Sequence, residues 1–438
     1  MISNTLSLTL LSSLLLFSGC GSEVNDLSEH SQPITTEPET GYFIDSGVEG
    51  LSYVRSSIGT SLVTQKGGSY VYRTGEIITF KIGELKIGEA IGLSVITPKD
   101  IVSLENKDLS TSIYESEVNN RVRLLMTLDS DSNPTNGIQI SAATRVQAAS
   151  WSTPHYEYSE TGFNSSVAVV TNGDVDINVT KLAAEEHFAE SLRCVYSGAY
   201  TGYRVLPDGE HDGFVGVMIQ STNTKDVNSS FGTIVALSDG QELDGNTSTN
   251  EYLFARGIHD MDTGTYIFNE TGEFKDGGII PSDANVTGDG TSNGYNKVFG
   301  TFKQLNPQTG LFETGAYEAT RAFEGKNVAY RYTGYGYDTN ISVQNPKGKI
   351  LGLFAFDINT DGTIEGMIHD AATGEEPLLS GTINFTTNYV DMNLTYNNTP
   401  SVIQGTLDNN GSINLEWKVN GVTAGSLGGV GCQLQPHD

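Results

Sequence analysis

Ile78, Phe80 and Ile82 alternate with Ile77, Thr79 and Lys81, so one side of this stretch is apolar and the other mixed, as in a half-buried strand. Ser69-Tyr-Val-Tyr72 alternates in the same way, with Gly67-Gly68 and Thr74-Gly75-Glu76 as turns between the runs. Residues 85–87 and 93–96 continue the pattern until Pro98. The period then lengthens. Val118, Val122, Leu125 and Leu128 fall at helical spacing behind Ser116, a suitable N-cap, which predicts a helix over 116–128. A second helix is predicted over 181–193, with Ala184, Phe188, Leu192 and Val195 on one face and His187 packing on or beside it. The expected fold class is mainly β: a small N-terminal β-sandwich with two short helices, then two related antiparallel β-barrel or sandwich units.

Those two units follow from an internal repeat. Tyr196-Ser-Gly198 recurs as Tyr332-Thr-Gly334, and Phe214-Val-Gly-Val-Met218 recurs at the same offset as Ile350-Leu-Gly-Leu-Phe354. Asn223-Thr224 maps likewise to Asn359-Thr360, while Gly300-Thr-Phe and Gly405-Thr-Leu match at a shorter offset. The expected organisation is a module over 41–194, a first β-unit over 195–321 and a second over 328–434.

The start of the chain reads differently. Residues 6–17 form an apolar run of about a dozen residues, too short to cross a bilayer but right for the core of a signal peptide. Ser18 and Gly19 precede Cys20 as at the cleavage and lipidation site of a bacterial lipoprotein, although residues 1–9 contain no Lys or Arg. The expectation is a signal peptide over 1–19, acyl chains on Cys20, and an acidic flexible tether over 20–40. Gly21, where an Asp would suggest inner-membrane retention, favours the outer membrane, on its surface-exposed or periplasmic face. The membrane is then a partner through the lipid alone.

Composition narrows the partners further. A net charge of −29 disfavours nucleic acid and anionic lipid, and leaves a protein or carbohydrate ligand at the surface. Of three cysteines, Cys20 is assigned to lipid, so Cys194 and Cys432 are expected to form a disulfide between the ends of the C-terminal region.

Phe43-Ile-Asp-Ser-Gly-Val-Glu-Gly-Leu-Ser-Tyr53, Gly75-Glu-Ile-Ile-Thr-Phe-Lys-Ile-Gly83 and Thr97-Pro-Lys-Asp-Ile101, followed by Asn120-Arg121 and Asp129-Ser-Asp131, resemble a module of bacterial outer-membrane surface lipoproteins and adhesin-type surface proteins. The resemblance covers about 43–193. It implies a surface or periplasmic location and adhesion, and assigns no activity to any residue.

Two stretches resemble calcium loops in part. Asp129, Asp131 and Asn133 carry oxygens at alternate positions, but Pro134 stands where Gly is wanted and Ile140 where Glu would close the site. Asp357, Asn359 and Asp361 repeat the spacing, with Ile368 at the closing position. Turns are the first expectation at both, calcium the second; no cofactor is required. His211 and His259 each lie beside carboxylates, expected as polar turns, and Gly288–Gly294 lacks the helix that phosphate binding needs. Tyr196, Tyr200, Tyr332 and Tyr335 cluster at the start of the repeats, as core packing or as a ligand platform. With no nucleophile elbow, HExxH or CxxC, the protein is expected not to be an enzyme. A non-catalytic binding or adhesion module is the leading expectation. The alternatives are a ligand-capture lipoprotein of handle-plus-barrel type and a structural envelope component.

Overall fold

The alternating stretch Ile77–Ile82 is a strand whose inner side buries Ile78, Phe80 and Ile82. It pairs antiparallel with Ser52–Arg55 and Leu85–Ile91. A computed structural model describes residues 37–435, apart from 107–110, 206–209, 222–230, 241–250, 276–277, 282–285, 294, 306–311, 326, 339–349, 371–374, 397 and 409–410. The predicted signal peptide and Cys20 lie outside the described residues. The first strand, Glu39–Phe43, opens inside the stretch expected as tether, because the Glu39 carboxylate accepts hydrogen bonds from Tyr72 and Thr74.

The N-terminal module carries three small sheets and five α-helices among the described residues. Helices α1 (Pro98–Asn106), α2 (Ser116–Thr127), α3 (Ala142–Gln147), α4 (Glu160–Val170) and α5 (Lys181–Tyr196) follow in order. Helices α2 and α5 stand where the apolar spacing placed them, though Glu115 and not Ser116 occupies the N-cap of α2. The other three were not expected. Pro98, read as the end of the strands, is the first residue of α1: Thr97 donates through its backbone and hydroxyl to Asp100, as in a capping box with Pro at N1. Inside the module, Phe43 and Tyr70 meet Phe80 edge-on at 4.8 and 5.5 Å. Asn120 and Arg121 are buried cross-links. Asn120 donates to the carbonyls of Tyr156 and Tyr158, and Arg121 donates to Ile87 while lying 4.1 Å above the Tyr156 ring.

From Gly198 onward the named strands pair antiparallel. Gly198–Val205 is bonded to both His211–Gln220 and Phe312–Arg321, so the first and last strands of this sheet are neighbours. Glu251–Asp260 also pairs with Thr265–Lys275, which curls the sheet round on itself. The final region is a closed eight-stranded barrel in which Val328–Asp338 lies between Ile350–Asn359 and Val422–Gln433. Its lumen is filled by Phe354, Phe356, Met392, Ile403, Leu415 and Leu427, each at most 1% exposed. Burying each such side chain stabilises the barrel by about 1.5–3 kcal/mol.

The three parts are packed together. Met218, Val235, Leu237 and Phe254 of the curled sheet meet Leu353 of the barrel, and Phe214 stacks on His369 at 4.5 Å. Helix α5 lies against the curled sheet through Phe188, Leu192 and Val195.

Candidate functional site

Where α5 ends at Tyr196, all three parts converge. The chain turns at Ser197, whose N–H donates back to Arg193, and enters the curled sheet at Gly198 with φ +144°. A Cβ at Gly198 would clash with the Arg321 guanidinium, so a residue without a side chain is what lets Arg321 approach.

Arg321 sits at the end of the last strand of the curled sheet and is half-buried. Its Nη1 donates to the Ser197 carbonyl at 2.7 Å, and its Nη2 to Val195 at 2.8 Å, Tyr295 at 2.6 Å and the Tyr200 hydroxyl at 2.9 Å. Among the described residues no carboxylate hydrogen-bonds to it, though the Glu324 charge acts on it. Tyr295 turns its carbonyl to this cation by adopting φ +63°, a conformation a non-glycine residue holds at a cost of about 1–3 kcal/mol. Its hydroxyl meanwhile donates to Asp100 at 3.0 Å, which fastens the N-terminal module to the same point.

Arg331, 5% exposed, reaches the same place from the barrel. Its Nε and Nη2 hold Asp357 at 2.8 and 3.2 Å, and its Nη1 donates to Val195 at 3.1 Å, the carbonyl that Arg321 also uses. Burial alone would lower the proton affinity of both guanidiniums. For Arg331 the Asp357 charge and hydrogen bonds, together with the Glu324 charge, more than reverse this, whereas for Arg321 burial prevails and it stays below its ordinary value. A cavity of about 40 Å³ opens between the parts, lined by Ile44, Val95, Val195, Val328 and Leu434 and by both arginines, with exposed Glu324 at its margin.

Cys194 and Cys432 form the expected disulfide, Cα to Cα 5.5 Å, tying the end of α5 to the last barrel strand beside this cavity. The tyrosines pack inside the body. Tyr196, Tyr200 and Tyr332 are 6%, 1% and 5% exposed. Tyr200 donates to the Tyr196 carbonyl and Tyr332 stacks on Phe356 at 5.1 Å, so these three form no exposed platform. Tyr335, partly buried, contacts the cluster between sheet and barrel. Tyr196 belongs to a helix and Tyr332 to a strand, so the repeat aligns these two residues in sequence but not in structure.

The acidic loops close turns. Asp129 accepts the N–H of Asn133 at 2.8 Å and of Gln139 at 2.9 Å, and Asp131 accepts from Asn133 and Asn136. Asp357 is committed to Arg331, Asn359 donates to Thr363, and Asp361 caps Thr363. Asp357 thus serves Arg331 while Asn359 and Asp361 both serve Thr363, where a calcium loop would direct all three at one ion. Among the described residues, no group of three or more His, Cys, Asp or Glu is arranged to hold a metal.

Two histidines correct the sequence reading. His259 is fully buried in the strand Glu251–Asp260, not in a polar turn; burial pulls it down to about 4, and it lies against Met261 and Tyr196. The following turn reaches into the N-terminal module, where Asp262 accepts from Ser112 and the Ile113 N–H and Lys99 bonds the Asp262 carbonyl. His211 begins a strand, and residues 206–209 before it lie outside the described residues. Gly288 likewise lies in the strand Val286–Asn293, and Gly294 outside the described residues.

His187 does more than pack. Its Nε2 lies 3.2 Å from Asp45 Oδ1, although the two atoms are misaligned for a hydrogen bond, so the contact is an ion pair. Burial would lower its pKa, but the Asp45 carboxylate at this distance and the Glu190 charge raise it above the ordinary value. The resulting stabilisation is fully present below the unfolded value, about 6.5, and is lost as pH rises through the raised folded value. The melting temperature is therefore expected to fall by a few degrees as pH rises from below about 6.5 through the raised folded value. His187→Gln should flatten that slope; an unchanged slope in a calorimetric pH series would dismiss the ion pair as its source.

No family model matches the chain, and no curated protein matches it. Among solved structures it is similar to kievitone hydratase from Nectria haematococca, at 11% identity over 57% of this chain and 92% of that one, with a TM-score of 0.19. At that level of similarity nothing about this chain's fold or activity follows from the hydratase.

Proposed function

We propose that the chain is a lipid-anchored outer-membrane protein, held through Cys20, that works as a non-catalytic binding or adhesion body. The observation that carries this reading is the direction of its aromatic side chains. Tyr200, Tyr332, Phe354 and Phe356 fill interiors, as does the barrel lumen around them. That disfavours capture of a large ligand in the barrel and leaves the outer surface for contact. On that surface the curled sheet exposes Tyr203, Ile258, Ile267 and Phe299, with Ile258 and Ile267 directly opposite on paired strands. The adjacent Ile258 and Ile267 are where such contact would centre. The apolar run and the Ser18-Gly19-Cys20 sequence support the anchor.

Metabolic labelling with a palmitate analogue tests the anchor. Label is expected in the mature wild-type chain and in the membrane fraction, and Cys20→Ala should lose the label and leave the membrane. An unlabelled wild-type chain in a soluble cytosolic pool, with Cys194 and Cys432 both free, would refute the proposal.

A further inference from the structure

We propose that a second strip of the curled sheet's outer face binds an uncharged, extended β-linked glycan, with Tyr203 and Phe299 as its stacking platforms. The inference rests on the reading of that face as a contact surface and is independent of lipidation.

The strip is a product of register. Tyr203 lies directly opposite Glu318, and Glu318 directly opposite Phe299, so the three form one row across the strands Gly198–Val205, Phe312–Arg321 and Lys297–Leu305. Residues paired in this way share a face of the sheet. Here it is the outer one: Tyr203 is 58% exposed, Phe299 41% and the Glu318 side chain 56%. Their chain neighbours Arg204, Val298, Tyr317 and Ala319 alternate inward and are buried. The two aromatic residues therefore stand two strand spacings apart, about 10 Å. In an extended β-linked glycan, every second sugar ring presents the same face at about that interval.

The chemistry of the row separates a glycan from other occupants. A pyranose ring offers C–H bonds to an aromatic face and a rim of hydroxyls to polar groups beside it. Between the two rings Glu318 supplies an acceptor, and Lys297, 2.5 Å from it, a donor. That ion pair leaves the row itself neutral, which suits an uncharged ligand, while the chain's net charge of −29 repels a polyanion. On either side of the row the exposed Thr320, Ala316 and Thr301 are short, which leaves room for a ligand lying across the strands. A protein partner fits less well, because a charged pair midway between the rings is what the centre of a protein interface is depleted of.

Titration calorimetry of the full chain in a non-sugar detergent tests this, with cellohexaose and chitohexaose as probes for the two commonest β-linked sugars. Saturable binding of at least one is expected, about tenfold tighter than that of its disaccharide, which is too short to reach both rings. An oligouronide of the same length should not bind. Tyr203→Ala and Phe299→Ala should each weaken binding about tenfold, whereas Tyr203→Phe, which keeps the ring, should not. Glu318→Gln is expected to weaken it about threefold and Ile258→Ala to leave it unchanged. All these positions are exposed, so unchanged melting temperatures are expected throughout. No heat with either hexasaccharide, equal affinity for the oligouronide, or binding that survives both ring removals overturns the inference, as does binding that depends on Ile258. None of these results bears on the palmitate labelling. Cleavage of the recovered hexasaccharide would refute the non-catalytic reading while supporting the glycan surface.

Discussion

Asp357→Ala is expected to destabilise the barrel by about 3–5 kcal/mol, the usual consequence of removing one partner from a buried ion pair. Asp357 is 1% exposed and accepts from Arg331 at 2.8 and 3.2 Å and from the Gly325 N–H at 3.1 Å. Without it, Arg331 would stay buried beside Arg321 with only the exposed Glu324, among the described residues, to offset their charges. Asp357→Asn keeps the shape and part of the hydrogen bonding, so a smaller loss is expected. The chain has two tryptophans, Trp151 in the N-terminal module and Trp417 in the barrel. Urea unfolding followed by fluorescence in a Trp151→Phe background therefore reports on the barrel. Asp361→Ala, at an exposed turn of the same hairpin, provides the comparison. If Asp357→Ala lowers the midpoint no further than Asp361→Ala, the pair is not what steadies the junction.

Removal of the disulfide is expected to have an effect of similar size. Cys194 and Cys432 are 238 residues apart, and closing so long a loop restricts the unfolded chain by about 5 kcal/mol in the chain-entropy picture, an upper value for real proteins. The bond also holds the end of α5 to the last barrel strand, next to the carbonyls of Cys194 and Val195 that Arg331 bonds. The double variant Cys194→Ser with Cys432→Ser should unfold its barrel at markedly lower urea, and the reduced wild type should behave likewise. Identical midpoints for oxidised and reduced protein would show that side-chain packing alone holds barrel to helix.

The residues read from their spacing behaved in two ways. Val118, Val122 and Leu125 predicted α2 because a helix with one strongly apolar face shows its period locally. Helix α4, Glu-Thr-Gly-Phe-Asn-Ser-Ser-Val-Ala-Val-Val, buries only Phe163 and Val167, and its small polar residues hide that period. Helix α1 was hidden by a misread signal: Thr97-Pro-Lys-Asp100 is a helix start, and Pro98 drew attention to the end of the strand before it. Asp357 reads first as part of a turn and second as a calcium ligand, because spacing along one strand cannot show that Arg331 stands opposite on the next.

Local pattern by itself determined that the chain is mainly β, that α2 and α5 exist, and that Cys194 and Cys432 form a pair. These depend on a residue's near neighbours, or on counting. Closure of the barrel, the curl of the first sheet and the cavity with its two arginines were decided only in three dimensions. Its lining comes from residues as far apart as Tyr42 and Gln435. A guanidinium that is solvated and one that is paired in the interior look the same in one dimension, because the difference lies in which distant groups exclude water from it.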